Sequence, residues 1–240
     1  MVRKKVSLFR FSIFLSLFLI SCNSQKLKKT IVEGSTMGTQ YKIVIKSQQT
    51  VNADTILNKV TSILNDVNSQ MSTYDSDSEI SKFNSSQTEN DFFKISDYFS
   101  DVLEMSFFYN RISEGFFDIT IKPLYELWGF QNRKISNKEP SSLEISRKLN
   151  FIGMDKIEFD LEHRLISKKH KQTSIDLSAI AKGYAVDLIA SYLDDENFSD
   201  YFVEIGGEIK VKSNITDGWI INIQDPVDFS KAINSVYLLD

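Results

Sequence analysis

A single cysteine, two histidines and no extended basic block leave several chemistries out of reach of this 240-residue chain. With only Cys22, no intramolecular disulfide can form, so the fold rests on its core even in an oxidising compartment. The two histidines, His163 and His170, lie in a polar stretch without paired ligand spacing and read as solvated surface residues. A net charge of -4 without basic blocks argues against nucleic acid as a partner, because binding a phosphate backbone needs clustered Lys and Arg. The acidic stretch Asp75-Ser76-Asp77-Ser78-Glu79 lacks the central glycine and the twelfth-position glutamate of an EF-hand loop. The longest apolar run, Phe11 to Ile20, is too short for an ordinary membrane-spanning helix. What remains is 42% hydrophobic and 25% charged, without repeats or low-complexity tracts, which is enough for one sizeable core or two small ones.

The N-terminus carries a targeting signal. Arg3, Lys4, Lys5 and Arg10 precede the short apolar run, and Leu19-Ile20-Ser21-Cys22 follows it, which resembles the bacterial lipobox. The expected arrangement is a lipoprotein signal peptide over residues 1–21, then lipidated Cys22 and a linker within residues 22–30, then a domain over 31–240. Lipid chains on Cys22 would tether that domain to a membrane surface.

Periodicity supplies the elements of the domain. Tyr41, Ile43 and Ile45 alternate with Lys42, Val44 and Lys46, a strand with one mixed face. Before it, Gly34-Ser35-Thr36-Met37-Gly38-Thr39 is either a plain loop or a sharp turn that presents the Met37 thioether to a flat ring. Ile56, Val60, Ile63, Leu64 and Val67 recur at helical spacing, with Asn52 or Asp54 as the cap. A second helix runs from about Ser96 to Ile112, and its aromatic stripe of Tyr98, Phe99 and Tyr109 reads as core. A surface helix starts near Pro140, and Ile157–Phe159 with Leu165–Ser167 form a hairpin. Tyr201–Ile205 running into Gly206-Gly207 reads as a strand broken by a bulge, Trp219–Ile223 as a strand, and Val236–Leu239 as the start of another.

Three polar places stand out chemically. Tyr74 is an exposed-looking aromatic in a polar segment, suited to ring stacking or simply half buried in a solvated loop. Asp118 is enclosed by apolar neighbours, so it must accept hydrogen bonds or line a pocket. In Thr173–Leu193, a strand-like run ends at Asp176, Ser178 is expected to cap an alanine-rich helix, and Lys182 and Gly183 fall in its first turns. A helix mouth with a lysine suits a phosphate, and both Lys182 and Gly183 are locally unfavourable choices there. The same residues would also serve an ordinary amphipathic core helix with a solvated lysine.

Five segments taken together resemble the FAD:protein FMN transferase family. They are Ser35–Thr39, Met71–Tyr74 with Ser78-Glu79-Ile80, Gly115–Asp118, Asp176–Asp187, and Val203–Glu208, in the family's order and across essentially the whole domain. The resemblance implies an α+β fold with mixed or antiparallel sheets and packed helices, the T-fold-like architecture of the flavin transferases. It implies FAD as substrate, Mg²⁺ as cofactor, and transfer of FMN to a Ser/Thr hydroxyl of an acceptor protein with release of AMP. By position, Met37, Tyr74, Phe116, Phe117, Asp118, Asp176 and Lys182 would bind FAD. Lys182 and Asp176 would also serve catalysis, and the Ala179 carbonyl would hold the metal. Members continue for roughly another hundred residues, carrying a histidine segment and acidic and threonine metal ligands, so the chain is expected to lack its C-terminal part. Location in the cell envelope facing the periplasm follows from the lipobox, with a membrane redox complex subunit as one kind of acceptor. The alternatives are Mg²⁺-dependent hydrolysis of FAD to FMN and AMP, and a non-catalytic FAD-binding lipoprotein.

Overall fold

The computed structural model describes residues 27–130, 139–214 and 218–239, so the leader, Cys22 and most of the linker lie outside the described residues. The main sheet is antiparallel, with strands β1 (Lys28–Thr36), β2 (Thr39–Ser47), β6 (Asp200–Ile205) and β7 (Glu208–Ser213) side by side in that order. The linker expected over residues 22–30 is thus partly strand, because β1 begins at Lys28. Few of the residues of β1 are buried, Val32 and Thr36 among them, which leaves little alternation for sequence reading to detect.

Helices α1 (Ala53–Met71) and α6 (Ala181–Asp195) pack on the sheet, and α3 (Asp97–Ile112) packs against α1. Their buried residues join Tyr41, Ile43, Ile45, Val203 and Ile205 in one core. Asn52 caps α1, its Oδ1 accepting from the amides of Asp54 and Thr55, and Ile56, Val60, Ile63, Leu64 and Val67 are buried as their spacing requires. Phe99, Val102 and Leu103 of α3 are fully enclosed, each worth roughly 1.5–3 kcal/mol against exposure. Tyr109 departs from the expected core stripe: it is half exposed, at a cavity wall.

The opposite face of the sheet explains the mixed side of β2. Val44 packs there with Val211 and Trp219, and the Lys46 ammonium lies 3.8 Å from the centre of the Trp219 ring. Trp219 belongs to β8 (Trp219–Gln224), which pairs with β9 (Ala232–Leu238) in a two-stranded sheet. Strand β9 therefore begins four residues before the expected start at Val236 and is the return arm of a hairpin.

A third sheet, β3 (Phe93–Lys94), β5 (Leu165–Lys168) and β4 (Ile157–Asp160), contains the expected hairpin. Helices α2 (Glu79–Ser85), α4 (Lys122–Leu127) and α5 (Ser142–Leu149) complete the described residues, α5 being the expected surface helix, held by a Ser141–Glu144 capping box. Gly206 and Gly207 do not make a bulge. They form the tight turn joining β6 to β7, with φ of 56° and 97°, and a Cβ on Gly206 would stand 2.7 Å from the Thr39 side chain.

Candidate active site at the start of helix α6

The loop Thr173–Ile180 delivers the chain into α6. Ile175 and Leu177 are fully buried and anchor it, while the Asp176 amide donates to the Ile119 carbonyl at 2.8 Å and so fastens the loop beside Asp118. Asp176 Oδ1 accepts from the Ser178 amide at 2.8 Å, a local turn that takes the capping role expected of Ser178. The helix starts two residues later than that expectation, at Ala181. Its cap position is Ile180, which has no side chain able to cap. Among the described residues no acceptor meets the amides of Lys182 and Gly183, which leaves donors free at the positive end of the helix dipole. Gly183 faces open space, since a Cβ there would meet nothing within 4 Å, and it lines a cavity of about 500 Å³.

Three hollows surround this helix start. Met37, Tyr74, Ser178 and Lys182 line the first. Phe116, Phe117, Asp118, Asp176, Ser178 and Ala179 line the second, of about 350 Å³. The third, of about 500 Å³, shares Phe117 and Ala179 with the second and adds Met105, Tyr109, Tyr184, Asp187 and Glu208. Every site residue expected from the sequence and lying among the described residues is therefore gathered around α6, although the five segments are far apart in the chain.

Each is positioned by local structure. Met37 and Gly38 make the β1–β2 turn with φ of 49° and 73°, so a non-glycine residue is held in the left-handed region at a hairpin tip. Tyr74 and Phe116 are 71% and 94% exposed, large rings with no protein cover of their own. Asp118 meets its expected requirement: Oδ1 accepts from both the amide and the hydroxyl of Thr120, at 2.8 and 2.6 Å. The Thr120 hydroxyl in turn accepts from the Gly153 amide at 2.6 Å. Tyr184 donates to Asp101 at 2.7 Å, and burial followed by that carboxylate raises its phenol pKa, so it acts as a neutral donor and not as a base. Lys182 and Glu208 form an ion pair at 3.2 Å.

The sequence reading missed a second layer. Asn84 grips the loop from below, its Nδ2 donating to the Ile175 carbonyl at 2.9 Å and its Oδ1 accepting from the Ile175 amide at 2.8 Å. Lys168 is fully buried and donates to the carbonyls of Asn84, Lys171 and Thr173 at 3.0, 3.3 and 3.4 Å. Burial pushes its pKa down to about 8. A lysine at the end of a short strand looks like any surface lysine, and only the long-range partners reveal it. For metals, no group of three or more His, Cys, Asp or Glu side chains among the described residues is placed to hold an ion. The Ala179 carbonyl accepts no hydrogen bond among the described residues, so one hard oxygen is open.

A family model described as the ApbE family matches residues 37–240, which takes in every one of these segments from Met37 onward. The chain belongs to the ApbE family. A Haemophilus influenzae protein named FAD:protein FMN transferase is 38% identical over 222 residues, covering 90% of this ApbE chain and 64% of the relative. The chain thus spans just under two thirds of that relative's length. Among solved structures, the flavin transferase ApbE from Vibrio cholerae superposes with a TM-score of 0.78 at 33% identity, over 88% of this chain and 68% of that one. The apo form of the Pseudomonas stutzeri flavinyl transferase ApbE gives 0.78 at 29% identity, over 89% and 67%. The expected α+β flavin-transferase fold is the observed one.

Proposed function

We propose that this ApbE chain binds FAD at the start of α6 and transfers its FMN half to a Ser/Thr hydroxyl of an acceptor protein, releasing AMP. The observation that carries this is the convergence of exposed rings, an unpaired helix start and Lys182 around three neighbouring hollows. Exposed Tyr74 and Phe116 with Met37 offer flat apolar faces to a flavin. The free amides of Lys182 and Gly183 and the Lys182 ammonium offer the matching charge to a diphosphate. In the transfer, the acceptor hydroxyl oxygen forms a bond to the FMN phosphorus and releases its proton to water, while the bond from that phosphorus to the bridging oxygen breaks and AMP leaves with that oxygen and its charge. Lys182 stabilises the charge building on the phosphoryl oxygens. Asp176, through its turn with Ser178, fixes the loop that carries them.

Mg²⁺ belongs to the proposal as the ion that further neutralises the diphosphate. The described residues offer it the Ala179 carbonyl, which cannot suffice alone, since Mg²⁺ takes an octahedron of hard oxygens and usually keeps several waters. Attachment to a membrane surface through Cys22, with the domain facing the periplasm, is proposed from the lipobox alone. Among the described residues no helix is long and apolar enough to cross a membrane.

The test is incubation of the purified chain with FAD, with and without Mg²⁺ and a Ser/Thr-bearing acceptor. The expected products are AMP and a flavin covalently on the acceptor. AMP with free FMN, regardless of acceptor, would move the assignment to hydrolysis, and FAD binding without AMP would leave a binding protein. Cys22→Ala is expected to shift the protein from the membrane to the soluble fraction.

A further inference from the structure

The Lys182–Glu208 pair lies on the divide between two hollows, Lys182 lining the one beside Tyr74 and Glu208 the one beside Tyr184. Glu208 is not delivered by a loose loop. It is the first residue of β7, next to a turn pinned by the Gly206 amide on the Gln40 carbonyl at 3.1 Å and the Gly207 amide on Glu204 at 2.7 Å. The same two elements carry two further ion pairs, Asp187–Lys210 at 2.6 Å and Asp194–Lys212 at 2.8 Å. In both of these the helix gives the acid and the strand the base. At the helix start the order is reversed, with the helix giving Lys182 and the strand Glu208. A lysine in a first turn opposes the dipole, and a carboxylate beside it offsets that. Both side chains stay partly exposed, so the pair contributes little to folding and can be exchanged.

We infer that Glu208 is the resting counter-ion of Lys182, a built-in carboxylate that a diphosphate must displace, so that binding at this site is an exchange of partners. The inference rests on the FAD reading for its ligand class. In the free protein the carboxylate occupies Lys182. When the diphosphate arrives, Lys182 turns to it and Glu208 is left facing the 500 Å³ cavity. Breaking the Lys182–Glu208 pair is the cost of that exchange, which weakens binding and speeds release, while a flavin without phosphate has nothing to exchange. Glu208 thereby sets how tightly the charged part of the substrate is held.

The experiment measures binding of FAD, riboflavin and inorganic diphosphate to the full chain, to Glu208→Gln, to Lys182→Met and to the double variant. Glu208→Gln is expected to bind FAD and inorganic diphosphate about two- to five-fold more tightly, the scale of one partly exposed ion pair that no longer has to be broken. Riboflavin binding is expected to stay unchanged, and the gain is expected to vanish when Lys182 is also replaced. Unchanged or weaker diphosphate binding in Glu208→Gln overturns the inference, as does a gain that survives Lys182→Met. Absence of diphosphate binding in both the wild type and Glu208→Gln overturns it too. If diphosphate shows the gain while FAD binds to no variant, the exchange stands and the flavin assignment falls.

Discussion

Two lysines serve the loop that leads into α6, and they are held in opposite ways. Lys182 stands at the mouth, partly exposed, paired with the Glu208 carboxylate at the start of β7. Lys168 lies in the floor, fully buried, with three backbone carbonyls and the Phe83 ring around it and, among the described residues, no acidic partner. The mouth as a whole follows Lys182: Tyr74 and Phe116 are exposed rings, and Gly183 faces empty space. The floor follows Lys168: Asn84, Thr120 and Thr173 each tie one stretch of backbone to another. The difference is one of where free energy is stored. On the proposed function mouth residues would gain most of their contacts from a ligand, whereas floor residues gain theirs on folding and hold the Asp176 turn beforehand.

The contrast can be broken most severely at Lys168. Lys168→Met would leave three carbonyls without their donor, and a loss of about 2–4 kcal/mol in unfolding free energy is expected, measured by denaturant titration. The same pair of proteins gives a pH test. Because burial lowers the folded pKa of Lys168 to about 8 from an ordinary 10.5, the unfolded chain holds more proton between those values. The contribution of this group to stability is therefore flat below pH 8 and rises toward 10.5. The stability of wild type minus that of Lys168→Met should climb across that window, at most by about 1.4 kcal/mol per pH unit. A flat difference would mean that the three carbonyls and the Phe83 face offset the desolvation of the ammonium.

Asn84→Ala should cost about 1–3 kcal/mol, since the amide and carbonyl of Ile175 both lose their partner. If the floor positions the Asp176 turn, this variant should also weaken FAD binding under conditions where it is fully folded. The smallest expected effect on stability is at the mouth, and it has the opposite sign. Gly183→Ala should stabilise the protein by about 0.5–1 kcal/mol, because alanine favours the helix and meets no neighbour. Its methyl group would enter the cavity and lower FAD affinity. A destabilised Gly183→Ala, or one that binds FAD unchanged, would remove the distinction between mouth and floor.

The mouth was legible in the sequence because its residues break local rules. A lysine and a glycine in a first helical turn, an aspartate among apolar neighbours and a tyrosine in a polar loop each stand out without any partner being known. Local rules also gave α1 with its Asn52 cap, α3 and the β4–β5 hairpin. They failed where two local readings compete. Ser178 is a good cap by type, yet Asp176 reaches its amide first and the helix starts later. Two glycines can make a bulge or a turn, and only the pairing of β6 with β7 selects the turn.

By itself the sequence determined helices α1, α3, α5 and α6, the alternation of β2, the absence of an intramolecular disulfide among these 240 residues and the residues that line the hollows around α6, since all of these depend on residue type and short-range spacing. Tertiary structure alone decided that Lys168 is buried, that Glu208 faces Lys182 and that Val44 has a partner in Trp219. The reason is physical. A buried lysine is tolerable only where several carbonyls converge, and those of residues 84, 171 and 173 meet at Lys168 only after the chain has folded.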